Sequence, residues 1–134
     1  MKINKRVLSI CLAVMLVAAL AIPASAQTIW QNGEYDGCRY AISAECDADS
    51  CYSVIEYQDS DSGNETDYIF QVSMQVCVYS YYEAMYYCVS GNSFASYTLA
   101  SQSYTSDDMY LVVDHGSFQY RINGDQVAEL TVYA

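Results

Sequence analysis

The sequence predicts a single all-β domain, an antiparallel sandwich of about seven to nine strands with a small barrel as the alternative. Three observations predict it. From Tyr68 to Ser80 the even positions Phe70, Val72, Met74, Val76 and Val78 are apolar, with Gln71, Ser73 and Gln75 between them; this period-2 alternation belongs to a strand buried on one face. Tyrosine, which suits a pleated surface, occurs 15 times, always after residue 26. Turn-rich segments recur at Asp47–Ser50, Gln58–Asp67, Gly91–Ser93 and Thr105–Asp108, spaced as in sheets of short strands.

The chain opens with a different kind of segment. Lys2, Lys5 and Arg6 precede an uncharged apolar run from Val7 to Ile22, then Pro23 and the small triplet Ala24-Ser25-Ala26. That order is the one of a secretory signal peptide, so residues 1–26 are expected to be cleaved and residues 27–134 to form the secreted, extracellular domain. The apolar run of 16 residues falls short of the ~20 that span a bilayer as a helix, and no membrane insertion is expected after cleavage. The remaining 108 residues suffice for one domain. They are few for an outer-membrane barrel, whose tilted strands take ~9–11 residues each.

Strands are then expected at Thr28–Gln31, Arg39–Cys46, Tyr52–Tyr57, Tyr68–Ser80, Met85–Ser90 and Ser96–Ser103. A helix over Ser80–Tyr87 is the competing reading there, disfavoured by its tyrosines. Met109, Leu111 and Val113 form one apolar face, followed by an expected turn at Asp114-His115-Gly116. Phe118, Tyr120 and Ile122 form the next, and Asn123-Gly124-Asp125 is a hairpin signal because Asn-Gly tolerates the positive φ of tight turns. Ala128, Leu130 and Val132 close what reads as a three-stranded meander.

After residue 26 the chain holds all 16 carboxylates against two cations, Arg39 and Arg121, for a net charge of −14 and no lysine. Such a surface repels phosphate backbones and anionic lipid, which excludes nucleic acid as a partner. Cations or a basic partner complement it. Five cysteines follow the leader. Cys46 and Cys51 flank a four-residue loop, and Cys77 and Cys88 flank the link between two expected strands, so both pairs can bridge locally. Cys38 is then left as a buried thiol or an intermolecular link, and other bridge patterns remain open at this level. No C-x-x-C pair exists and His115 is the sole histidine, a poor basis for zinc.

The Asp59–Asp67 stretch is the one metal candidate: Asp59, Asp61, Glu65 and Asp67 on a flexible loop offer oxygen ligands for calcium. It departs from an EF-hand, with Asn64 at the glycine position and Phe70 where the bidentate glutamate belongs. No cofactor is otherwise indicated. His115 lies between Asp114 and Gly116 with no nucleophile motif nearby, and adjacent Asp and His on a turn are not expected to face each other as a relay. No catalytic signature is present, so a small hydrolase ranks last and the chain is read as a non-enzyme. Tyr79, Tyr81, Tyr82, Tyr86 and Tyr87 crowd one short segment; tyrosine offers a rigid ring and a hydroxyl at low entropic cost, as recognition surfaces require. The reading is a secreted binding module that engages a protein or glycan through these tyrosines. Its alternative is a secreted effector, such as a bacteriocin-like antagonist or protease inhibitor.

Overall fold

In the computed structural model the described residues are 26–91 and 95–134. The predicted leader up to residue 25 and most of the expected turn at Gly91–Ser93 lie outside them. Among the described residues nine strands follow in order: β1 (Gln27–Tyr35), β2 (Cys38–Cys46), β3 (Ser50–Ser60), β4 (Phe70–Ser80), β5 (Met85–Gly91), β6 (Ala95–Ser96), β7 (Leu99–Thr105), β8 (Leu111–Ile122) and β9 (Asp125–Tyr133). They pair antiparallel into two sheets that do not close into a barrel. One sheet runs β1-β2-β3-β7; the other runs β5-β4-β8-β9, with β6 also on β4. The all-β sandwich is the fold.

Alternation builds the core from both sheets. Phe70, Val72, Met74, Val76 and Val78 of β4 turn inward as expected, and Tyr40, Ile42, Ala44 and Ile55 meet them from β2 and β3. Inside this layer Tyr120 and Ser53 share a hydrogen bond, and the Ser53 hydroxyl donates to the Ser43 carbonyl at 2.9 Å, so the buried phenol is satisfied. Asn123 and Gly124 both have positive φ, 52° and 85°, the geometry that twists a two-residue hairpin correctly.

Two expectations fail: the strand expected over Ser96–Ser103 is split into β6 and β7, which pair in different sheets, and the turn expected before Phe118 is part of a strand. Asp114-His115-Gly116 is not a turn but the middle of β8, a single 12-residue strand. Val113 pairs with Val78 and His115 with Cys77, which leaves Asp114 unmatched as a β-bulge. The extra residue shifts the inward parity from Val113 to Gly116, Phe118, Tyr120 and Ile122. A reversal of apolar phase is what a turn and a bulge have in common, and letters alone do not separate them. The predicted meander is therefore a β8–β9 hairpin with β4 on the other side of β8.

Both expected disulfides are present, joining residues directly opposite each other in their hairpins. Cys46–Cys51 has a Cα separation of 4.2 Å and Cys77–Cys88 of 4.1 Å, as in cross-strand pairs where side chains approach most closely. Cys38 is unpaired and buried; burial pushes its thiol pKa up and so keeps it protonated. Disulfides belong to oxidising, extracellular-type compartments. Among the described residues no helix is long and apolar enough to cross a membrane.

Gly116 explains how the core admits the first disulfide. A Cβ there would stand 2.9 Å from Cys46 Sγ and 3.0 Å from both Cys51 Sγ and Phe118 Cζ. Gly116→Ala is accordingly expected to lower stability by about 1–3 kcal/mol through overpacking, read as a drop in melting temperature. In a Cys46→Ala/Cys51→Ala background the share of that penalty due to the two sulfurs disappears while the Phe118 contact remains; an unchanged penalty refutes the packing account.

Burial also pushes the Tyr120 pKa up to about 12, against its usual 10. The neutral phenol is the form the fold prefers, so its contribution is complete below pH 10 and is lost as pH rises toward 12. Tyr120→Phe is expected to be less stable at pH 7 by about 1 kcal/mol, having lost a buried hydrogen bond. Its melting temperature then falls less steeply than that of the parent protein across the alkaline range, and parallel curves contradict this.

Candidate functional site

The β4–β5 hairpin carries the tyrosines. Its turn, residues 81–84, is set by Ala84 at φ 53° and by the Ser80 hydroxyl, which accepts from the Glu83 N–H at 3.2 Å. The Tyr81 N–H donates to the Tyr110 carbonyl at 2.8 Å, which ties this turn to the one before β8. There Asp108 accepts from the Tyr110 N–H at 2.9 Å. Two turns are thus fastened side by side at one end of the sandwich.

Alternation divides the five predicted tyrosines between two surfaces. Tyr79, Tyr81 and Tyr86 gather on the outer side, where Tyr79 meets Tyr81 edge-on at 5.1 Å and Tyr86 at 5.0 Å. Beside them is a shallow recess with Val112 and Asp114. Tyr82 and Tyr87 face the opposite way, into a cleft of about 490 Å³. Two tyrosines that sequence reading passed over, Tyr104 and Tyr110, complete it above a floor of Val78 and Leu111. Tyr82 and Tyr110 lie 6.3 Å apart between ring centroids. Tyr104 has a signal in hindsight: it shares the inward parity of Ala100 and Gln102 along β7. Tyr110 has none, because it sits in a turn that only β8 pairing brings alongside Tyr82.

The cleft is anionic. Glu83 accepts a hydrogen bond from the Tyr87 hydroxyl, which holds its carboxylate at the mouth, and Asp108 lines the same opening. Tyr82 is 83% exposed and the most open of its rings. Four phenol faces around two carboxylates can receive a lysine or arginine side chain by cation–π contact and charge pairing together.

The other candidates disperse. Asp59 and Asp61 both hold the Arg39 guanidinium, Asp61 at 3.0 Å. Asp67 accepts from Asn64 Nδ2 at 3.2 Å, and Glu65 lies exposed in a 3-10 turn that Asn64 caps. Of the four predicted calcium ligands, Asp59 and Asp61 thus share Arg39 while Asp67 turns to Asn64, and among the described residues no group of three His, Cys, Asp or Glu side chains is placed to hold a metal. Arg39 is the physical reason: it neutralises the two carboxylates that a cation would need. His115, contrary to expectation, does face its neighbour, with Nδ1 2.7 Å from Asp114 Oδ2; the bulge turns both side chains to one side. Its ring packs 5.5 Å from that of Tyr133.

Comparison with protein-family models, curated proteins and solved structures finds no match for this chain.

Proposed function

We propose that this protein is a non-catalytic recognition module that captures a basic protein surface in its tyrosine-walled cleft. The observation that carries the reading is the convergence of Tyr82, Tyr87, Tyr104 and Tyr110 on one opening rimmed by Glu83 and Asp108. Stiff aromatic rings lose little entropy when a partner is bound. The net charge of −14 after residue 26 steers cationic partners toward it and raises their encounter rate. The same rings can stack on a sugar, and a neutral glycan is the outcome that would redirect the proposal.

An array of lysine- and arginine-rich peptides and neutral oligosaccharides tests this. Basic peptides are expected to bind, with Tyr82→Ala and Tyr110→Ala each weakening binding at least ~tenfold, as loss of an anchoring aromatic does. Trp30→Ala serves as the control, since Trp30 is 75% exposed on β1 at the far edge. Ligands that are insensitive to both tyrosine substitutions would place recognition elsewhere and sink the reading.

A further inference from the structure

β5 is patterned as a core strand yet lies uncovered. Met85, Tyr87 and Val89 stand opposite Ser80, Val78 and Val76 of β4, all buried. They are nevertheless 49%, 39% and 45% exposed. The cause is the offset of the sheets: β7, the last strand of its sheet, lies mainly over β4 and meets β5 only marginally. β7 is itself an edge, so the main-chain N–H and C=O groups on its outer side have no ladder partner among the described strands.

Neither edge is blunted. Met85–Gly91 and Leu99–Thr105 contain no charge and no proline, and the β4–β5 and β3–β7 ladders run without a bulge. These are the devices by which sheet edges normally avoid pairing. The spacing also matches. A strand added to β7 would lie ~4.8 Å beyond it, the same step that separates β5 from β4, and would sit ~10 Å above β5 at sheet-packing distance.

We infer that the flank between β5 and β7 receives an extended segment of a basic partner, which joins β7 as a fifth strand and lays alternate apolar side chains on Met85, Tyr87 and Val89. This rests on the cleft reading above: the cleft is the end of the same flank, sharing Tyr87 and Val89, and Glu83 and Asp108 stand there to receive a lysine or arginine of that segment. Main-chain ladder bonds supply affinity, while the apolar pockets and the acidic rim select the sequence. A second copy of this chain is a weaker occupant, because its net charge has the same sign.

The test uses a fluorescent peptide alternating lysine and valine, matched to the seven residues of β7, in anisotropy titrations at ~0.15 M salt to screen nonspecific attraction. Saturable binding is expected. N-methylation of the amides along one edge keeps charge and side chains but removes the ladder donors, and should weaken binding at least ~tenfold. Val89→Lys, which aims a cation into the flank, should weaken it similarly, while Tyr86→Ala on the outer surface leaves it unchanged. Equal affinity for the N-methylated peptide overturns the added strand while leaving capture in the tyrosine cleft intact. Failure of every peptide to bind, or a protein that sediments as a dimer and excludes the peptide, overturns it as well.

Discussion

The two sheets are offset, and β4 bears the consequence. It is covered by β7 and flanked by β5 and β8, so its inward residues Phe70, Val72, Val76 and Val78 are sealed from water. The next strand outward, β5, repeats the apolar alternation without the cover. Full burial of a valine or methionine side chain contributes about 1.5–3 kcal/mol, and β5 forgoes much of that on its inward face. The Cys77–Cys88 bridge ties this strand to β4 where packing does not. Closing a loop of that size stabilises by an amount on the order of 3 kcal/mol, comparable to the missing burial of one side chain. A covalent link thus allows an apolar face to stay open without the strand fraying.

The opposite flank is closed by other means. β1 and β9 face each other there, the Tyr35 hydroxyl donates to Asp125, and the Tyr133 N–H donates to Gln27 Oε1 at 3.0 Å. Charge follows the same division. Between residues 68 and 106 Glu83 is the sole charged side chain, and that span comprises β4 through β7. The remaining 15 carboxylates and both arginines lie outside it. A polyanion that kept its charges evenly spread would present the same field on every side; this one has a nearly neutral flank beside an acidic remainder.

What could be read from the letters followed from local rules. The alternation in β4, the Asn123-Gly124 hairpin and the two hairpin disulfides each depend on residues close in sequence, where strand parity and turn chemistry decide the outcome. What escaped depended on distant pairing. The bulge at Asp114 is defined by where β8 meets Cys77 and Val78, and without that register the parity change reads as a turn. The ion pairs of Asp59 and Asp61 escaped for the same reason, since Arg39 reaches both through the β2–β3 ladder. The tyrosine cluster was legible as composition but not as geometry: one strand's alternation split it in two, and the cleft drew Tyr104 and Tyr110 from beyond the segment.

The bulge also links the core to the cleft end of the sandwich. Had β8 kept one parity throughout, Gly116 and Val113 would face opposite sides, and one of two features would be lost. Gly116 must face inward to leave room for the Cys46–Cys51 sulfurs. Val113 must face inward to meet Val78, which holds β8 against β4 just before Tyr110 and Leu111 enter the cleft. Asp114 absorbs the conflict by standing outside the ladder, where its carbonyl accepts from the Ala134 N–H at 3.0 Å and its carboxylate engages His115. The same bulge is what sets the Asp114 and His115 side chains side by side. It lets a single strand serve a packed disulfide at one level and an open aromatic cleft at the next.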